Sequence, residues 1–279
     1  MNRDRVLAVT TVATVGLVAV GVWGWNEYQQ SLNREALFAE VQPVKLANCE
    51  LERFGDSHDG GYLICGNLLA AEKSGYSYGI NGTDNFGCEV AVRLQIPVHQ
   101  YDCFNLARPP CFGDATVFHQ ECIGPVRLIE EGRVFDTLQS QIARNGDEDK
   151  RLIVKMDVEG AEWASFLGAP ESVLNQINQL VVEFHQADGA EFVETMRKLK
   201  RTFYVAHLHY NNHACEPHHE PFPSWAFEVL FVNRNLGVVD AAGTVALMPH
   251  PLDAPNNPTV PDCQAARPVT LGSIFRLTW

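Results

Sequence analysis

The sequence predicts an α/β domain: a doubly wound parallel sheet, closed by an antiparallel hairpin and preceded by one membrane-spanning helix. Three observations carry this. From about Cys49, short apolar runs alternate with amphipathic stretches, as in successive βαβ units. "RLIVKMDV" and "QLVVEFH" are continuous apolar runs of the kind that strands buried on both faces show. Ahead of them lies a charge-free span, Val6 to Trp25.

That span would rise about 30 Å as a helix, the thickness of a hydrocarbon core. Arg3 and Arg5 flank its start, and Trp23 and Trp25 stand where interfacial aromatics anchor a span. Residues 1–5 therefore read as a cytoplasmic tail and 6–25 as a signal anchor, with a cleaved signal peptide as the rival. Residues 26–48 read as a stalk, 49–253 as the domain, and the Pro-rich 254–279 as irregular cover. The domain is expected on the exported side of a membrane, in a Golgi or endoplasmic-reticulum lumen or a periplasm.

The eight cysteines agree with export, since an even count in an exported domain suggests disulfides. The short loop "CFNLARPPC" suggests a Cys103–Cys111 bridge, and Cys49 with Cys65 is a second candidate pair. Cys88, at a predicted helix start, reads as a buried free thiol. A net charge of -13 argues against sequence-independent nucleic-acid binding, which needs a basic face.

Within the domain, "YSYGI", "VHQYDCF" and "ATVFHQECI" are the first core strands, with the helix "NFGCEVAVRLQ" after the first. "VFDTLQSQIARNG" is a helix with Asp136 as N-cap and Gly146 at its stop. "PESVLNQIN" and "GAEFVETMRKLKR" are two more. "TFYVAHLHY" and "WAFEVLFVNR" have only a His- and Pro-rich loop between them, from Asn211 to Ser224, and so form the hairpin. "HDGG" (His58 to Gly61) makes a tight turn before a strand.

In an open α/β sheet a ligand sits beyond the carboxyl ends of the strands. Here those ends carry "GINGTDNFG", then Asp102, then Asp157, Glu159 and Glu162, then Glu183 and His185. Glycines let backbone approach a ligand ahead of a helix N-terminus, and an acid about 20 residues further on is placed to hold a ribose. Acids at four strand ends, with no phosphate-binding lysine, suit a nucleoside cofactor that lacks phosphates. "NGT" at Asn81 is a formal glycosylation sequon, read as unused because a glycan there would obstruct the loop.

These segments resemble the FkbM-type and methyltransferase-like S-adenosylmethionine-dependent methyltransferases. "FGDSHDGGYLIC" is similar to the family's G-D-G-G-(Y/W)-x-x-C segment, and "RLIVKMDVEGAEW" to its D-x-E-G-A-E block, over roughly residues 45 to 235. The first loop departs from the acidic-x-Gly-x-Gly form common among methyltransferases. The resemblance implies a seven-stranded Rossmann-like sheet and S-adenosyl-L-methionine as cofactor. It places Gly79, Asn81 and Gly82 at the methionine end, Asp102 on the ribose, and Asp157 facing the methyl group. Glu159, Glu162, Glu183 and His185 would surround the mouth, with Asp157, His185 and Glu183 as catalytic residues. The implied reaction is O-methylation of a glycan-like or small-molecule acceptor, with His185 as general base.

Two other readings stay open. Asp157 and Glu159 could imitate the acid-x-acid metal site of a membrane-anchored glycosyltransferase. The domain could also be a non-catalytic binding module that keeps the fold. The histidines His207, His209, His213, His218 and His219 could form an N/O site for a divalent ion with Asp157 and Glu183, but they have no metal-motif spacing and read as a polar loop, so no metal ligand is assigned.

Overall fold

A computed structural model describes residues 24–111, 115–217, 219–242 and 246–263. It is a mixed α/β fold around a seven-stranded mixed sheet. The expected membrane anchor lies, but for its last two residues, outside the described residues. Among those described, no helix is long and apolar enough to cross a membrane.

The sheet contains β3 (Ser74–Tyr78), β4 (Val98–Tyr101), β5 (Thr116–His119), β9 (Leu152–Asp157), β10 (Ile177–His185), β11 (Phe203–Tyr210) and β12 (Ala226–Asn233). Their order across the sheet is β11-β12-β10-β9-β3-β4-β5. The five strands from β10 to β5 are parallel, whereas β12 runs antiparallel between β10 and β11. Counted among themselves, the parallel strands follow the order 3-2-1-4-5 of a doubly wound sheet, with its topological switch point between β3 and β9. The predicted C-terminal hairpin is present at the β10 edge of the sheet, with β12 between β10 and the edge strand β11.

Period-two alternation in β9 feeds both layers. Leu152, Val154 and Met156 face one core, and Ile153 faces the other. The first core is covered by α1 (24–40), α3 (Leu138–Arg144), α4 (Ala161–Gly168), α5 (Glu171–Leu174) and α6 (Ala190–Thr202). In α6, Phe192, Val193, Met196 and Leu199 form the apolar stripe. Each such side chain contributes about 1.5–3 kcal/mol by burial. The second core lies under α2 (Asn85–Leu94) and the hairpin of β1 (Leu51–Gly55) and β2 (Gly61–Cys65). "GYLIC" thus pairs with "LERFG" outside the main sheet, and the "HDGG" turn joins them. Between β5 and α3 a small sheet forms from β6 (Cys122–Ile123), β7 (Leu128–Glu130) and β8 (Arg133–Asp136).

Local signals differ from expectation at two helices. The N-cap of α3 is Thr137, whose hydroxyl accepts from Ser140 N, while Asp136 is buried and paired with Arg127 and Arg144. Residues 26–48 do not stand off as a stalk. Leu37 and Val41 of this segment are fully buried, and Glu40 pairs with Arg197 and Lys200. The tail also packs closely: Asn256 is buried and donates to Asp59 and Glu228.

All eight cysteines are paired, which fits an exported protein. Cys49–Cys65 forms as expected, and Cys215–Cys263 ties the tail to the hairpin loop. Cys103 and Cys111 do not pair with each other. Their partners are Cys122 and Cys88, so Cys88 is not a free thiol. Pro109 and Pro110 hold the chain extended and carry Cys111 across to α2. Both bonds pin the segment from 102 to 111, and each stabilises by about 3 kcal/mol through loop closure. Non-reducing peptide mapping should recover Cys88–Cys111 and Cys103–Cys122; a Cys103–Cys111 peptide would contradict this topology.

At the amino edge of the sheet, Glu72 is buried with one oxygen accepting from Asn178 and the other without a partner. Burial pushes its pKa from 4.5 up to about 7. The folded state therefore binds the extra proton between these values, so stability falls as pH rises through that window. Glu72→Gln should abolish this fall and be more stable than the parent at pH 8 by on the order of 2 kcal/mol in urea denaturation. Parallel pH profiles for the two proteins would overturn it.

Candidate functional site

A cavity of about 420 Å³ opens at the carboxyl edge of the sheet, over the switch point between β3 and β9. Its floor comes from the ends of these strands, one side from the loop after β4, and its rim from the β1–β2 turn.

Gly79 follows β3 with φ +70°, and a Cβ there would lie 1.5 Å from the Asp157 carbonyl oxygen. Only glycine permits this approach, which closes β3 against β9 at the cavity floor. Asn81 is also left-handed, at φ +43°. Its N–H donates to Asp102 Oδ2 at 2.8 Å, while Asp102 Oδ1 accepts from Phe104 N and Asn105 N. Asp102 lines the cavity but spends most of its acceptor capacity on two loops. Gly82, at φ +80°, forms the turn beside Asn105 and does not line the cavity.

The N-terminus of α2 is closed by its own cap. Asp84 accepts from Gly87 N and Ser77 Oγ through Oδ1, and from Gln100 Nε2 through Oδ2. This carboxylate occupies the place where a phosphate would bind a helix N-terminus. Nearby, Tyr78 contributes to the lining, while its hydroxyl is fully buried and has no hydrogen-bond partner.

Lys155 interrupts the apolar run of β9. Its ammonium donates to the Tyr78 and Gly79 carbonyls at 3.2 and 2.9 Å and to Asp157 Oδ2 at 3.3 Å. Tyr62 Oη also reaches Asp157 Oδ2, at 3.5 Å. Lysine and tyrosine thus hold one oxygen of Asp157, leaving Oδ1 turned toward His185.

After β9 the chain turns through Glu159 (φ +55°) and Gly160 (φ +106°) into α4. Glu159 is in a conformation that non-glycine residues rarely hold, and its side chain is 83% exposed at the cavity rim. Glu162 was expected around the mouth; it is instead fully buried. Its Oε2 accepts from Gly160 N at 2.9 Å, and its Oε1 accepts from His185 N at 2.7 Å and contacts His185 Nδ1 at 3.0 Å. Trp163 Nε1 donates to the His185 carbonyl at 2.7 Å. The "EGAEW" segment therefore grips His185 by its backbone and its ring.

With Nδ1 engaged by Glu162, His185 Nε2 points among three other carboxylates. Glu159 Oε2 lies at 3.5 Å, and Asp157 Oδ1 and Glu183 Oε1 each at 3.9 Å. Burial acts to lower the pKa of this imidazole, but the Glu162 hydrogen bond and the carboxylates of Glu162, Asp157 and Glu159 outweigh it and raise it. Glu183 is pushed well above the carboxylate range, by burial first and then by Asp157 and Glu228; Glu228 faces it directly across the β10–β12 pair. Asn211 Nδ2 donates to Glu183 Oε1 at 2.6 Å.

The strand-end acids and His185 are thus brought together as expected, around the β9–β10 edge. Gly79, Asn81, Asp102 and Asp157 line the cavity, whereas Gly82, Glu183 and His185 do not. The other histidines stand apart: His207 lies 2.8 Å from Asp253, and His209 contacts Asn256. His218 lies outside the described residues. Lys155, Tyr62 and Tyr78 were missed by the sequence reading. A lysine inside an otherwise apolar strand was the available signal for the first.

No family model and no curated protein matches this chain.

Removing a carboxylate that holds a buried partner exposes that partner to full desolvation. Glu162→Ala should lower the unfolding free energy by about 3–5 kcal/mol in chemical denaturation. A loss below about 0.5 kcal/mol would mean that the clamp on His185 carries no weight.

Proposed function

We propose that the cavity binds S-adenosyl-L-methionine and that the protein is a methyltransferase acting on an oxygen of a small or glycan-like acceptor in an exported compartment. The observation that carries this reading is the character of the cavity. It is of ligand size, sits at a switch point, and is lined by carboxylates with Lys155 as the only ammonium among the described residues. Asp84 already fills the α2 N-terminus, so an anionic phosphate is disfavoured and a cationic, phosphate-free nucleoside is favoured. The 3-2-1-4-5 order, with β12 antiparallel between β10 and β11, also supports the resemblance read from the sequence.

On this reading the bound cofactor supplies an electrophilic methyl group. Asp102 has one acceptor position left for a ribose hydroxyl. Gly79 and Asn81 form the wall at the methionine end. Asp157 faces the acceptor, with Lys155 and Tyr62 setting its orientation. His185 does not line the cavity, so it is not placed to take a proton directly from an acceptor bound there. The Asp157 carboxylate, which lines the cavity, is then the base that receives the acceptor proton.

A second reading is favoured by one observation. Asp157, Glu159 and His185 could hold a metal ion, as a nucleotide-sugar glycosyltransferase would require.

Calorimetric titration of the oxidised, folded protein with S-adenosylmethionine and S-adenosylhomocysteine separates these. The proposal expects micromolar binding of both, weakened about five- to tenfold by Asp102→Asn through loss of the ribose contact. Absence of both, together with manganese-dependent binding of a nucleoside diphosphate sugar, would replace it with the glycosyltransferase reading.

A further inference from the structure

We propose that Asp157, Glu159 and His185, with Glu183 beside them, form a divalent-cation site at the edge of the cavity. Three observations point there together. Asp157, Glu159 and His185 each offer one ligand atom, and these atoms lie within 4.8 Å of one another. His185 is only 6% exposed, yet it directs Nε2 into the group with no hydrogen bond of its own. Its opposite ring nitrogen is held by the buried Glu162, the carboxylate–histidine arrangement that orients an imidazole toward a metal.

The geometry and charge suit a cation. Donors in adjacent octahedral positions sit about 3 Å apart at metal–ligand bonds near 2.1 Å. The separations from Nε2 to its three carboxylate neighbours, 3.5 to 3.9 Å, need to shrink by less than about 1 Å to match. Glu159 has an exposed side chain able to make most of that movement. Lys155 is turned to the other oxygen of Asp157, and Oδ1 is the oxygen that faces His185 Nε2. One imidazole with carboxylate oxygens is a donor set for Mn²⁺ and similar first-row ions. Asp157 and Glu159 both line the cavity, so the ion's remaining positions would open onto ligand oxygens there. The site rests on this donor set alone and stands whether or not the cavity takes S-adenosylmethionine.

The test uses the chelator-treated, oxidised protein and Mn²⁺ as probe, with no cofactor present. Electron paramagnetic resonance of free Mn²⁺ should show one ion bound per chain with a Kd below about 100 µM. Glu159→Gln, at an exposed position that leaves the fold intact, should weaken binding at least tenfold. Spin-echo modulation of the bound ion should reveal one directly coordinated ¹⁴N, lost in His185→Gln. No binding up to about 1 mM overturns the proposal, as does binding unchanged by Glu159→Gln or lacking the nitrogen coupling.

Discussion

The carboxyl edge of this sheet depends on the buried carboxylate of Glu162. It caps the turn after β9 through Gly160 N and fixes the end of β10 through His185 N and Nδ1. A buried charge without partners would be strongly destabilising, so the three contacts are obligatory rather than incidental. They join the two strands that carry Asp157, Glu183 and His185. They also choose which ring nitrogen of His185 is left facing the carboxylates.

A second constraint is steric. Gly79 lets β3 close onto the Asp157 carbonyl, and the resulting floor is drawn together further by Lys155, which binds carbonyls of both Tyr78 and Gly79. The loop after β4 is held by Asp102 and by two disulfides, Cys88–Cys111 and Cys103–Cys122. Most of the wall is therefore fixed by bonds that do not involve a ligand. Such preorganisation lowers the ordering cost of binding. The strained Glu159 at the rim is the member with most freedom, because its side chain is in solvent.

Much of this was legible in the sequence where the signal is local. The runs in β9 and β10, the hairpin, and the acids at strand ends follow from apolar patterning and from the rule that ligands gather at carboxyl ends. What was not legible depended on contacts distant along the chain. Cys103 and Cys111 are close in sequence, but the Pro109–Pro110 segment takes them to different partners. Glu162 has the sequence position of a solvated first-turn acid, and only the approach of β10 buries it. Asp102 was read as a ribose ligand, and its three backbone donors become visible only when two loops meet over it. Leu37 and Val41 lie in a polar segment whose docking depends on a face of α6 and β11 made much later in the chain.

The central claim is that the cavity between β3 and β9 is the site of a nucleoside cofactor. A crystal structure of the protein soaked with S-adenosylhomocysteine tests it most directly. The account predicts density in that cavity, with a ribose against Asp102. Density at another surface, or a cavity containing only solvent at saturating ligand, would contradict it.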